Sequence, residues 1–203
     1  MLVDVAKAHD LFIIGDEAYR EFVYAGEPLQ SMGQFEDAAE NVIVIDTVSK
    51  RFSACGARIG CMISRNKELM AQAMKYAQCR LSVPTLDQVA AAALYTVGPD
   101  YFAAVREEYK RRRDMVVKWL NDIEGFEAIT PAGAFYAFPR ISRLGMDGFK
   151  FCSWLLEEAG VSTVPGEVFG MPGHIRLAYC RSYDYIEEGM KRIKEAVEGR
   201  PGR

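Results

Sequence analysis

An α/β fold is predicted by three observations. Short, continuous, β-branched apolar runs open the chain at Leu11–Ile14 and Val42–Ile45, and a third spans 57–64. Runs of that length without polar alternation suit strands covered on both faces, as in a parallel sheet. Helical periodicity then takes over through the middle of the chain and returns at its end. Polar residues crowd the exits of the first two runs, at Gly15-Asp16 and Asp46-Thr47. Ligands of open α/β sheets bind beyond the carboxyl ends of strands. Residues 16–19 and 47–50 are therefore candidate site segments.

The later elements follow in order. Thr85, with Gln88 three residues on, reads as a capping box ahead of an alanine-rich helix. From Pro99 to Ile123, apolar residues at Phe102, Val105, Tyr109, Val116, Trp119, Leu120 and Ile123 keep a helical period. That helix is long enough to join two domains. A boundary within 95–110 divides the chain into 1–100 and 101–203. After Gly125, Phe126–Ile129 and Gly133–Pro139 read as a hairpin-like pair of strands. Phe151, Trp154, Leu155 and Ala159 make a short amphipathic helix stopped by Gly160. Val161–Val164 and Ile175–Cys180 read as strands. Ile186, Met190, Ile193 and Val197 form the stripe of a final helix. Pro201-Gly202-Arg203 reads as a frayed tail.

Bulk properties narrow the function classes. The 203 residues are 50% hydrophobic and 26% charged, with net charge -3, so no global field draws the chain to nucleic acid or an anionic membrane. The basic run Lys110–Arg113 follows Glu107-Glu108 and reads as a solvated helix face. No apolar run approaches the roughly 18 residues of a membrane span, and the opening stretch has no secretory pattern. Five scattered cysteines without a CxxC indicate neither a disulfide framework nor a zinc site. Reduced thiols fit a cytoplasmic location. Two histidines, His9 and His174, leave little material for a histidine metal site or a serine triad. Cys55, Cys61 and Trp154 read as packing residues, and His174 as a loop residue.

Chemistry concentrates around Lys50. It ends the segment Thr47-Val48-Ser49-Lys50, beyond a strand. An amine is a nucleophile only when deprotonated, a state that desolvation and nearby cations favour. Gly56-Ala57-Arg58-Ile59-Gly60 follows, offering close backbone approach and a guanidinium fork suited to phosphate. The Thr47 hydroxyl offers a further phosphate contact. Upstream, Asp16 ends a strand and Tyr19 lies three residues on. A carboxylate can hold a pyridine nitrogen protonated, and a phenol can bond a ring oxygen. Each residue also has a plainer reading: Lys50 as a surface lysine, Asp16 as a helix cap, Tyr19 as core, Arg58 as a surface ion pair and Arg176 as an exposed strand residue. Glu17 and Arg20 read as helix-start charges.

The combination is more specific than its parts. Asp16-Glu17-Ala18-Tyr19, Ser49-Lys50, Gly56–Gly60 and Ile175-Arg176-Leu177 stand in the order and spacing of the class I aminotransferases, the aspartate aminotransferase-like branch of fold-type I pyridoxal-phosphate enzymes. Pro131–Tyr136 and Pro165–Gly170 resemble that family as well, and the likeness runs to about residue 198. It implies part of a mostly parallel large-domain sheet followed by a small α+β C-terminal domain. It implies pyridoxal 5'-phosphate as cofactor, with Asp16 at the pyridine nitrogen, Tyr19 at the ring oxygen, and Thr47 and Arg58 at the phosphate. Thr47 replaces the usual family serine. Lys50 would hold the cofactor and then act as general base and acid, and Arg176 would clamp the substrate carboxylate. The implied partners are an amino acid, aspartate-, aromatic- or alanine-like, a 2-oxo acid, and a second copy in a homodimer. Carbon–sulfur lyases of the same fold share this lysine and arginine, and a non-catalytic fragment is a further alternative. Family chains are about twice this long, so the resemblance also implies a segment before residue 1, without which a strand edge and an apolar face stand uncovered. The chain alone would then self-associate and lack part of the cofactor cup.

Overall fold

A computed structural model describes residues 1–24, 26 and 29–200; the tail at 201–203 lies outside the described residues. The chain divides into two units, Met1–Phe102 and Ala103–Arg203.

The first unit is built on a three-stranded sheet, β1 (Ile13–Asp16), β2 (Val42–Thr47) and β3 (Gly60–Ile63), in the order β1-β2-β3. β1 and β2 are parallel, in a register that pairs Asp16 with Ile45. β3 runs antiparallel to β2, pairing Thr47 with Gly60. The third apolar run was expected as a covered strand of a parallel sheet; it is a shorter, antiparallel edge strand with Ile63 exposed. The connection explains the direction. Residues 48–59 hold one four-residue helix, α2 (Val48–Arg51), too little for the crossover that a parallel return requires. Residues 17–41 are enough to bring β2 back parallel to β1. β2, in the middle, is the covered strand: Val42, Ile43 and Val44 are buried. β1 is the other edge, with Ile14 68% exposed.

Alternation along the strands sorts the side chains. Val42 and Val44 pack with Val3 of helix α1 (Leu2–Ala8), Ala38, Ile13, Met32 and Phe35. Asp16, Ile45 and Thr47 belong to the opposite face. A second cluster joins Val48 and Phe52 to Ala91 of α4 (Thr85–Leu94), with Tyr101 and Phe102 packed against it. In the chain, α3 (Lys67–Cys79) follows β3 and precedes α4, capped by the Asn66 side chain on the Leu69 amide at 2.9 Å. The capping box expected at Thr85 does not form. Pro84 takes the cap position, and Gln88 bonds the Val83 carbonyl instead. Pro84 is pre-set for a helix entrance, which moves Thr85 inside the first turn.

The second unit begins in α5 (Pro99–Asp122). Its sheet has the order β4-β6-β5, from β4 (Tyr136–Ala137), β5 (Val164–Pro165) and β6 (Ile175–Ala178), all antiparallel. The hairpin expected from 126–129 and 133–139 reduces to one bridge, Glu127 with Arg140, because β4 spends its ladder on β6. Helix α6 (Gly148–Ala159) starts on the Asp147 cap and stops at Gly160 in the left-handed region. Helix α7 (Tyr183–Glu198) buries Ile186, Met190, Ile193 and Val197, the residues of the predicted stripe. They share a core with Val116, Leu120, Phe151, Leu155 and Ile175. The basic run in α5 is not wholly solvated. Arg113 is buried, donating to Asp114 and to the Pro131 carbonyl, so one residue in four turns inward as the helix winds. Cys55 and Cys61, expected in packing, are exposed, because they sit on a turn and an edge strand; Cys152 is buried. Among the described residues no helix is long and apolar enough to cross a membrane, and no group of three or more His, Cys, Asp or Glu side chains could hold a metal ion.

Candidate functional site

The parallel pairing of β1 and β2 delivers Asp16 and Thr47 to the same end of the sheet and, by the pleat, to the same face. Asp16 is exposed there; its Oδ1 accepts the Ala18 amide at 3.2 Å, which bends the chain into the turn that carries Tyr19. Beyond β2 the chain enters α2 directly. The Thr47 hydroxyl caps that helix by accepting the Ser49 amide at 3.1 Å. Lys50 lies in α2, half-buried, and its Nζ stands 6.0 Å from the centre of the Tyr19 ring. The exits of the two strands thus bring an amine, a phenol and a carboxylate into one region of the first unit.

The segment carrying Arg58 is tied to the same place. Thr47 Oγ1 lies 2.8 Å from the Ile59 carbonyl, and the Val48 amide donates to that oxygen at 3.3 Å. Gly60 permits the approach, since a side chain there would meet the Asp46 carbonyl at 3.2 Å. Arg58 adopts a left-handed conformation (φ 53°), and its Nη1 donates to the Cys55 carbonyl at 3.0 Å. Its guanidinium is exposed.

Two expectations about these residues change. The Thr47 hydroxyl has one hydrogen, and the Ile59 carbonyl takes it, so Thr47 shapes the loop before it offers anything to a ligand. Ser49, whose Oγ lies 2.9 Å from Thr47 Oγ1, was not singled out from the sequence. With the Thr47 hydrogen on Ile59, the Ser49 hydroxyl donates across that contact and reaches a ligand only by giving it up; its place beside Lys50 in the motif was the available signal. Glu17, read as a helix-start charge, is buried instead. Its Oε1 accepts Ser31 Oγ and the Met32 amide, each at 2.8 Å, and Arg20 lies 3.3 Å from Oε2. This carboxylate holds the 31–34 turn against the end of β1.

Arg176 belongs to the second unit, on β6. Its guanidinium lies 4.5 Å from the Tyr136 ring centre and 4.3 Å from that of Phe169. Stacking engages the faces of the guanidinium and leaves its N–H edge available for a planar anion.

The donor set of the first unit fits pyridoxal phosphate. The cofactor needs an amine for its aldehyde, a carboxylate for its pyridinium and cations and hydroxyls for its phosphate. Lys50, Asp16, and Arg58 with Ser49 are of those types, and the Lys50 and Tyr19 side chains already face each other.

Comparison with known proteins gives the family. The family model described as aminotransferase class I and II matches residues 1–193. An aspartate aminotransferase of Pyrococcus horikoshii is 34% identical over 202 residues, covering 98% of this chain and 51% of that protein. A probable aspartate/prephenate aminotransferase of Aquifex aeolicus is 37% identical over 195 residues, covering 93% and 49%. Among solved structures, the aspartate aminotransferase of Rhizobium meliloti superposes with a TM-score of 0.88 at 28% identity, covering 97% of this chain and 52% of that one. The chain spans about half the length of the curated relatives it matches. With the family model matching residues 1–193 and relatives 34–37% identical along nearly the whole chain, the chain belongs to the aminotransferases of class I and II.

Proposed function

We propose that the chain carries the cofactor-anchoring portion of a pyridoxal-phosphate-dependent transaminase, which moves an amino group reversibly between an amino acid and a 2-oxo acid. The observation that carries this reading is the Lys50 amine facing the Tyr19 ring at the exits of two parallel strands, with Asp16 on the same face of the sheet. Residues 1–100 are read as the C-terminal part of the cofactor-binding large domain, and 101–203 as the small α+β domain. An aspartate-, aromatic- or alanine-like amino acid is the proposed substrate. The exposed edge at Phe12 and Ile14 supports a homodimer or other self-association, and five free thiols support a cytoplasmic setting.

When bound, pyridoxal phosphate supplies a carbonyl that captures amines and a ring that withdraws electrons. The protein's residues divide the remaining work. Asp16 would accept a hydrogen bond from the protonated pyridine nitrogen and so keep the ring cationic. The Tyr19 hydroxyl bonds the ring oxygen. Arg58 and the Ser49 hydroxyl hold the phosphate, and Thr47 reaches it on releasing the Ile59 carbonyl. Lys50 Nζ would hold the cofactor through its aldehyde and would serve as the general base and acid that takes up and returns the substrate's α-proton. Arg176 grips the substrate carboxylate in a two-point pair.

The test is direct. The chain is mixed with pyridoxal phosphate, reduced with borohydride and digested. The expected result is a visible band that borohydride bleaches, label on the Lys50 peptide, and no band in Lys50→Ala. Label spread evenly over surface lysines would overturn the assignment. Exchange between an amino acid and a 2-oxo acid, rather than release of ammonia, then identifies transamination.

A further inference from the structure

Arg51 follows Lys50 in α2, and the two side chains leave the helix about 100° apart. The Arg51 side chain is 13% exposed. Its Nε and Nη2 donate to Glu21 Oε1 at 3.1 and 2.9 Å, and its Nη1 lies 3.3 Å from Asp46 Oδ2. The rings of Phe52 and Tyr95 lie 5.9 and 6.0 Å from its guanidinium. Asp46 is next to last in β2, on the opposite face from Thr47, and its second oxygen accepts the Thr47 amide at 2.7 Å. Glu21 comes from the turn after β1, two residues past Tyr19. The contacts continue through Arg20, 3.9 Å from Glu21, to the buried Glu17. One planar fork therefore joins the end of β2, the helix holding Lys50 and the turn holding Asp16 and Tyr19.

We propose that Arg51 is a positioning residue: by bridging Glu21 and Asp46 it locks the Tyr19 turn to the Lys50 helix and sets the approach of the Lys50 amine to the Tyr19 ring. The inference rests on the reading of Lys50 as the reactive amine and deepens it. A four-residue helix has little stability of its own and takes its orientation from tertiary contacts. A lysine stem has many rotamers, and fixing its backbone narrows them before any reaction. Arginine suits this position because its rigid fork serves two carboxylates at once, which an ammonium on a flexible stem does less well.

The experiment needs no cofactor. The chain is acetylated under limiting reagent, and each lysine is followed by mass spectrometry in the wild type, Arg51→Met and Glu21→Gln. Lys75 and Lys118, both exposed, serve as references. The two substitutions remove opposite charges, so a through-space field would shift the Lys50 rate in opposite directions. Loss of the bridge shifts it the same way in both. The expected result is a Lys50 rate about threefold higher or more in both variants, equivalent to about 0.7 kcal/mol, with the references unchanged. Arg51→Lys, which keeps the charge without the fork, should fall between. An unchanged Lys50 rate, opposite shifts, or a common rise of all lysines in the near-isosteric Glu21→Gln would overturn the proposal. A parallel incubation with pyridoxal phosphate separates the two readings. A responsive Lys50 without a borohydride-bleached band keeps the positioning role and refutes the cofactor. A band on Lys50 with rates that ignore both substitutions does the reverse.

Discussion

Glu17 offers the sharpest test of how the end of β1 is held. Its Oε1 accepts two hydrogen bonds, from Ser31 Oγ and the Met32 amide, both at 2.8 Å, in a residue 5% exposed. Hydrogen bonds to a charged group contribute about 1.5–3 kcal/mol each. The two share an acceptor and are not additive, so Glu17→Ala should cost about 3 kcal/mol. Glu17→Gln keeps an acceptor oxygen but loses the charge facing Arg20, and should cost about half as much. The loss should be local. Met32 packs where a side chain at Gly15 would meet its Cγ at 3.0 Å, so a freed turn withdraws Met32 from the sheet. Amide hydrogen exchange at Met32 reads this opening directly. At about 1.4 kcal/mol per factor of ten, exchange should speed about a hundredfold in Glu17→Ala and about tenfold in Glu17→Gln. A Met32 amide exchanging at the wild-type rate in Glu17→Ala would refute the account.

Two further outcomes follow from the second unit. Gly166 leaves no room for a methyl group, since a Cβ would stand 2.3 Å from the Met171 carbonyl and 2.7 Å from that of His174. Gly166→Ala should destabilise this unit by about 2 kcal/mol or more, in the range of overpacked cores, with a lower urea midpoint by fluorescence of Trp119 and Trp154; an unchanged midpoint would count against the packing described. The Asp147 cap makes α6 pH-sensitive. The Lys150 amide donating into Asp147, helped by the Lys150 ammonium, holds that carboxyl below its ordinary value. A lowered native pKa means that the stabilisation is complete above about pH 4, the unfolded value. It is lost as the pH falls through the lower native value. The Lys150 amide shift should titrate in that acid window, and Asp147→Asn should flatten the curve; a titration centred above pH 4 would reverse the sign.

Local chemistry was readable wherever a residue's role depends on near neighbours. The stripe Ile186, Met190, Ile193 and Val197 is a matter of period, and all four are buried as the period requires. Gly160 ends α6 because the left-handed region suits glycine. The position of Lys50 just beyond a buried strand follows from where an apolar run stops. The exits of β1 and β2 were marked by polar residues before any coordinates.

Long-range pairing was not readable in the same way. The direction of β3 depends on how far residues 48–59 can reach, and the apolar content of a strand is silent on that. Pro84 displaced the cap from Thr85 because its ring pre-sets the helix entrance. Glu17, Arg113 and Arg51 are all charged residues in polar stretches, and periodicity places them outside. Glu17 and Arg113 are buried, and Arg51 is largely covered, because a partner distant in sequence meets each: Ser31 for Glu17, the Pro131 carbonyl for Arg113, and Glu21 for Arg51. The sequence by itself determined the long, the short and the final helix of residues 99–198, the strand exits and the family. Only the tertiary structure decided which charges turn inward and what Thr47 spends its hydrogen on, because a charge is buried only where folding has already brought its counter-group.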